Sequence, residues 1–213
     1  MYTRHPPLTM HKRIVKIAST VVAALVLTLV GATSSVYALS GHGASYGPSF
    51  GSTYAGSALG STPLSYNDGL TINGNTYDIS KNIQTIPTKT LYVGSPATIT
   101  VKLWEYGGTY QIQGLAMFLN VRGSNPGSGN SDTWVQYSKT TGVTVNDPHS
   151  LLGTTTVDVK YDQKFMYVTF HMTPNKPMNT SWMIFTAWDN QLSANTAKVN
   201  NAVNFSYIPF SYH

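Results

Sequence analysis

Beyond residue 64, apolar and polar side chains alternate with a period of two along most of the chain. Within Thr98–Tyr106, Ile99, Val101 and Leu103 oppose Thr100, Lys102 and Trp104. Leu115, Met117, Leu119 and Val121 keep the same period, as do Val157, Val159 and Tyr161, then Met166, Val168, Phe170 and Met172, and finally Val203, Phe205 and Tyr207. Successive side chains of a strand point to opposite faces, so each run predicts a half-buried strand. Ser181–Trp188 is apolar on both faces, which predicts a central strand covered on both sides. Leu70–Ile72 and Tyr77–Ile79 flank Asn73-Gly74-Asn75 and predict a hairpin, because Asn-Gly takes up positive φ cheaply. Turn-forming clusters at Gly123–Asn130, Asn146–Pro148, Pro174–Pro177 and Asp189–Asn190 separate the runs. The expected fold is all-β: a single antiparallel immunoglobulin-like β-sandwich of seven to nine strands spanning 64–213, with a closed barrel as the alternative.

The amino-terminal region follows a different pattern. Arg4, Lys12, Arg13 and Lys16 precede an uncharged apolar run, Ile17–Ala32, and then a small polar stretch ends in Val36-Tyr37-Ala38. That order is the three-part plan of an export signal, so residues 1–38 are expected to form a signal peptide helix cleaved between Ala38 and Leu39. The sixteen-residue apolar run is slightly shorter than the roughly 17–25 residues that span a bilayer, so the competing reading is an uncleaved anchor. Residues 39–63 are rich in Gly, Ser, Ala and Tyr and read as a flexible spacer.

Processing changes the charge picture. The chain carries 13 basic and 8 acidic residues, four of the basic ones before the cut and every acidic one after it. Removing those four from thirteen leaves nine basic groups against eight acidic, a net of +1, and the nine are scattered singly. A nucleic-acid partner needs a basic patch and is excluded on that ground. There is no cysteine, so disulfides, thiolate metal sites and thiol catalysis are excluded too, and the fold must rest on its core. An uncharged polar exterior of Thr, Ser, Asn, Gln and Gly suits an extracellular or cell-surface protein.

The segments LTINGNTYDIS, LYVGSPATITVKLWE, GLAMFLNVRG, NSDTWVQYSK, VNDPHSLLG and MIFTAWDNQLS together resemble uncharacterised secreted β-sandwich proteins of ammonia-oxidising archaea, over about Leu64 to Val199. The resemblance implies an archaeal extracellular setting and an immunoglobulin-like sandwich. It brings no established activity and no functional residue.

Candidate chemistry is sparse. Asp132, Asp147 and Asp189 fall at strand ends or in loops, with His149 two residues beyond Asp147, and could supply oxygen ligands to calcium. Against this, Asp in turns commonly bonds its own backbone, and no EF-hand spacing occurs. Copper is disfavoured: Met166 and Met172 lie on the core face of their strand, His171 on the opposite one, and the histidines lack ligand spacing. Trp104 and Trp134 fall on the polar faces of their strands, where indoles can act as carbohydrate platforms. Asn179 and Asn204 open N-x-S acceptor triplets for glycosylation. Gly47-Pro-Ser-Phe-Gly51 matches the nucleophile-elbow pattern only formally, because no strand-to-helix context surrounds it. Asp158 and Asp162 lie in and just beyond one strand, four residues apart, about 13 Å, beyond the roughly 5–9.5 Å of glycosidase carboxylate pairs.

The leading expectation is a non-catalytic, exported binding, adhesion or envelope-assembly protein, with envelope proteins or glycans as partners. It needs no cofactor and touches membrane only through an uncleaved signal segment. The rival is an extracytoplasmic metal-binding protein. Mass spectrometry of the exported protein is expected to find Leu39 as the first residue; a chain still carrying residues 1–38 identifies the segment as an anchor instead.

Overall fold

The computed structural model describes residues 47–51, 68–123, 126–162 and 164–209. The signal segment, its cleavage site and most of the expected spacer lie outside them. Among the described residues thirteen strands follow in order: β1 (Ser49–Phe50), β2 (Leu70–Ile72), β3 (Asn75–Tyr77), β4 (Ile83–Thr85), β5 (Lys89–Tyr92), β6 (Ala97–Trp104), β7 (Ile112–Leu119), β8 (Thr133–Ser138), β9 (Gly142–Asn146), β10 (Leu152–Tyr161), β11 (Phe165–Pro174), β12 (Met178–Asp189) and β13 (Ala194–Ser206). One 3-10 turn, Ser128–Asn130, is the single helical piece among the described residues.

The strands form two sheets. The first has the order β10-β11-β6-β2-β3, with β1 also pairing β6, and the second has the order β4-β13-β12-β7-β8-β9, with β5 also pairing β13. Inward side chains of both sheets merge into one core, including Ile99, Val101, Leu103, Val168 and Phe170 from the first and Leu115, Met117, Met183, Phe185 and Val199 from the second. The alternation read from the sequence is the cause: along β6 and β11, burial switches at every residue. Met166 and Met172 are core packing, as their face predicts. The chain is therefore the expected all-β sandwich.

Two features depart from the sequence reading. The first is strand number and direction. Both β4 and β5 run parallel to β13, lying end to end along its edge. Strands of three or four residues are too short to display a period, and Pro87, which has no N–H to give a ladder, falls between them. The second concerns the spacer. Residues 47–51 belong to the sandwich: Ser49 and Phe50 pair with Trp104 and Leu103, Phe50 is buried in the core, and the Gly51 N–H donates to the Lys102 carbonyl at 2.8 Å. A glycine- and serine-rich composition concealed one anchoring phenylalanine.

The Asn-Gly hairpin forms as expected. Asn73 and Gly74 take φ of 45° and 83° between β2 and β3, the two left-handed residues that a tight hairpin turn requires. The Asn73 side chain also accepts the Thr98 N–H at 2.8 Å, fixing the hairpin against β6.

Phe185 is fully buried where the two sheets meet. Phe185→Ala is expected to cost about 3–5 kcal/mol, measured as a lowered urea midpoint with the m-value unchanged.

Candidate functional site

The second sheet is unusual because its outer face is also apolar. Register sets Ile83, Lys198, Ile184, Phe118, Trp134 and Asn146 in one row across six strands, from β4 to β9. Thr196, Thr186, Ala116, Gln136 and Thr144 make the next row. Ala116, Phe118 and Ile184 are buried although they point away from the core, and Trp134, Trp182 and Trp188 are half-buried around them. Trp188 lies across Gly114, where an added Cβ would stand 2.1 Å from its ring. A residue without a side chain is what allows that indole to lie flat on the sheet. Threonine, glutamine and asparagine fill the remaining positions, and Lys198 is the one charged residue in these two rows.

At one corner of this face, Asp132 stands two residues before Trp134. Its carboxylate accepts hydrogen bonds from Arg122 Nη2 at 2.8 Å and Asn120 Nδ2 at 3.2 Å, and lies 2.6 Å from His149 Nε2. Partial burial pulls the Asp132 pKa upward. The His149 and Asn120 hydrogen bonds and the Arg122 charge outweigh it and hold the carboxyl below its ordinary value. Asn146, opposite Trp134 in the ladder, donates from its amide to the Asp132 carbonyl. Lys176 Nζ donates to the His149 carbonyl at 2.9 Å and pins that loop. Arg122, Gly123 and Gly129–Asp132 line an open pocket of about 480 Å³ beside the cluster. An indole and an array of fixed donors and acceptors thus share one corner.

The four residues proposed as a hard-cation set separate. Only Asp132 and His149 come together. Asp147 receives the Leu151 and Leu152 N–H groups at 2.9 and 2.7 Å and serves its own turn. Asp189 receives those of Gln191 and Ser193 at 2.8 and 2.9 Å. Asp189 pairs with Ile112, at the start of β7, whereas Asp132 adjoins the pair Leu119–Thr133 at its end, so strand rise puts them roughly 23 Å apart. No group of three or more metal-ligating side chains occurs among the described residues.

Trp104 and Trp134 do not share a face. Trp104 is on the outside of the first sheet, between Ser49 and Phe165 in the ladder and edge-on to Tyr106 at 6.3 Å. Beside it, Lys102 Nζ sits 3.9 Å above the Phe165 ring and 2.6 Å from Asp68. His171 is on that exposed face as well, 3.0 Å from Asp158, while Asp162 caps its own turn and accepts from Tyr167. Asn179 is exposed, whereas Asn204 lies between β12 and β5 with its Oδ1 buried and unpartnered.

Sequence reasoning missed Arg122, Asn120 and the common face of Trp134, Trp182 and Trp188. One signal was available: Arg122 is the only arginine beyond residue 13. The common face was not readable, because register between strands is absent from a single sequence.

No family model and no curated protein matches the chain. Among solved structures it is similar to a carbohydrate binding module of family 9 from Caldicellulosiruptor kristjanssonii in complex with glucose. The likeness has a TM-score of 0.34 at 11% identity, over 56% of this chain and 75% of that one.

A carboxyl with a depressed folded pKa adds stability above its unfolded value and loses it as pH falls through the folded one. Asp132→Asn is therefore expected to lower Tm at neutral pH, with the difference from the parent shrinking steadily below about pH 4. A difference that persists undiminished in acid overturns the assignment of the cluster's bonding to the carboxylate.

Proposed function

We propose that this chain is an exported, non-catalytic binding domain that takes neutral glycans on the outer face of its second sheet. Trp134 is the stacking platform, and the Arg122–Asp132–His149 cluster supplies the hydrogen bonds. The observation that carries the reading is the placement of a half-buried indole next to a carboxylate already fixed by three side-chain donors. Sugar rings offer flat C–H faces and a rim of hydroxyls, and an amphipathic aromatic beside preorganised polar groups meets both. The near absence of charge along the platform rows favours a neutral ligand over an acidic one. Export rests on the three-part amino-terminal pattern, and archaeal surface glycans are a ligand source in keeping with the resemblance stated above.

Nothing in the corner calls for catalysis. Asp132 is engaged by Arg122, His149 and Asn120, and the hydroxyl of Ser131 is turned onto the Leu119 and Thr133 carbonyls rather than toward a base.

A glycan array followed by calorimetry tests the reading. Trp134→Ala is expected to weaken binding at least about tenfold, which is about 1.4 kcal/mol, and Asp132→Asn should weaken it comparably. Trp104→Ala, on the opposite sheet, should leave affinity unchanged. Binding that survives Trp134→Ala, or an array without any hit, rejects the proposal.

A further inference from the structure

At the other end of the sandwich, one oxygen of a buried carboxylate lacks a hydrogen-bond partner. Glu105, the sole glutamate of the chain, follows the last residue of β6 and is 6% exposed. Its Oε1 accepts the Tyr106 N–H at 3.0 Å, while Oε2 is buried and has no hydrogen-bond partner. Asp189, 1% exposed, ends β12, directly opposite Ile112. The connection between β6 and β7 brings the two together. It folds on itself through Gly108 N–H to the Glu105 carbonyl at 3.0 Å, and Asn190 N–H then ties the turn after β12 to the Gln111 carbonyl at 2.9 Å. Two acidic side chains are thereby held in the interior at one end of the fold, close enough that the Asp189 charge acts on Glu105.

Leaving an ionised oxygen buried and unbonded costs several times what an ordinary hydrogen bond returns, so such a group calls for a missing partner. We propose that Glu105 Oε2 and Asp189 bind a hard divalent cation, of which calcium is the best match, joining the β6–β7 connection to the turn that follows β12. Calcium gathers six to eight oxygens from carboxylates, backbone carbonyls and water, so two carboxylates on adjacent loops suffice as the charged part of its shell. The Glu105 carboxyl is held above its ordinary pKa first by burial and then by the Asp189 charge. The second of these causes, a neighbouring negative charge, is one that a bound cation relieves. Asp189 Oδ1 is oriented by two turn N–H groups, so the position is preorganised. This site is independent of the glycan face, and neither proposal depends on the other.

The test uses full-length exported protein dialysed against chelator. Adding calcium is expected to raise Tm by several degrees with one-to-one stoichiometry in calorimetry. Terbium should bind with luminescence sensitised by the nearby Tyr106. Glu105→Gln, which retains shape and the Tyr106 hydrogen bond, should abolish both responses, whereas Asp132→Asn should leave them intact. Three outcomes overturn the proposal: no calcium or terbium response in the parent protein, a response undiminished in Glu105→Gln, or a response lost in Asp132→Asn. In the first case, a Glu105→Gln protein more stable than its parent at neutral pH but not at pH 4 identifies a proton shared between the two acids in place of the cation.

Discussion

A sheet has two faces, and a sandwich normally gives one to the core and one to water. Here β7 and β12, paired at the centre of the second sheet, are apolar on both. Their inward residues, Leu115, Met117, Met183 and Phe185, are the floor of the core; their outward ones, Ala116, Phe118 and Ile184, are buried too, on the face that carries the half-buried Trp134, Trp182 and Trp188. With no cysteine to cross-link the fold, burial on these two strands must hold the sheets together and also set the character of the exposed surface. The proposed platform is the outer surface of the structural centre, so Trp134 and Trp188 stand on a rigid base.

The fold was legible where a strand is long and half-buried. Ala97–Trp104 and Phe165–Pro174 advertise their faces residue by residue, and Asn73-Gly74 announces its turn because few other pairs accept that backbone. Legibility ended where a segment is too short to show a period. Ile83–Thr85, Lys89–Tyr92 and Ser49–Phe50 are held by edge pairing and one or two buried side chains, information that resides in their partners. The first half of β13, Ala194–Asn201, was overlooked for a related reason: its polar residues Asn195, Thr196, Lys198 and Asn200 outnumber the inward Ala197 and Val199.

The candidate sites show the same boundary. A list of loop aspartates describes each residue's type and none of its neighbours. Asp147 spends both oxygens on turn N–H groups, the bland fate of most such residues, whereas Asp189 gives its turn Oδ1. Asp132 instead gathers side chains from the β7–β8 and β9–β10 connections. The glutamate that no pattern singled out has its second oxygen enclosed without a hydrogen-bond partner, which only three-dimensional packing could reveal.

The division of one border into β4 and β5 reaches beyond the fold itself. A continuous exposed border strand is a template onto which another chain can hydrogen-bond, and repeated addition leads to fibres. On this domain the borders formed by β3, β4 and β5 are only three or four residues long, interrupted at Pro87, and the long border β10 carries Asp158 and Lys160 pointing outward. Those borders are poor templates for a second copy, which leaves β9 as the open border of the second sheet among the described residues.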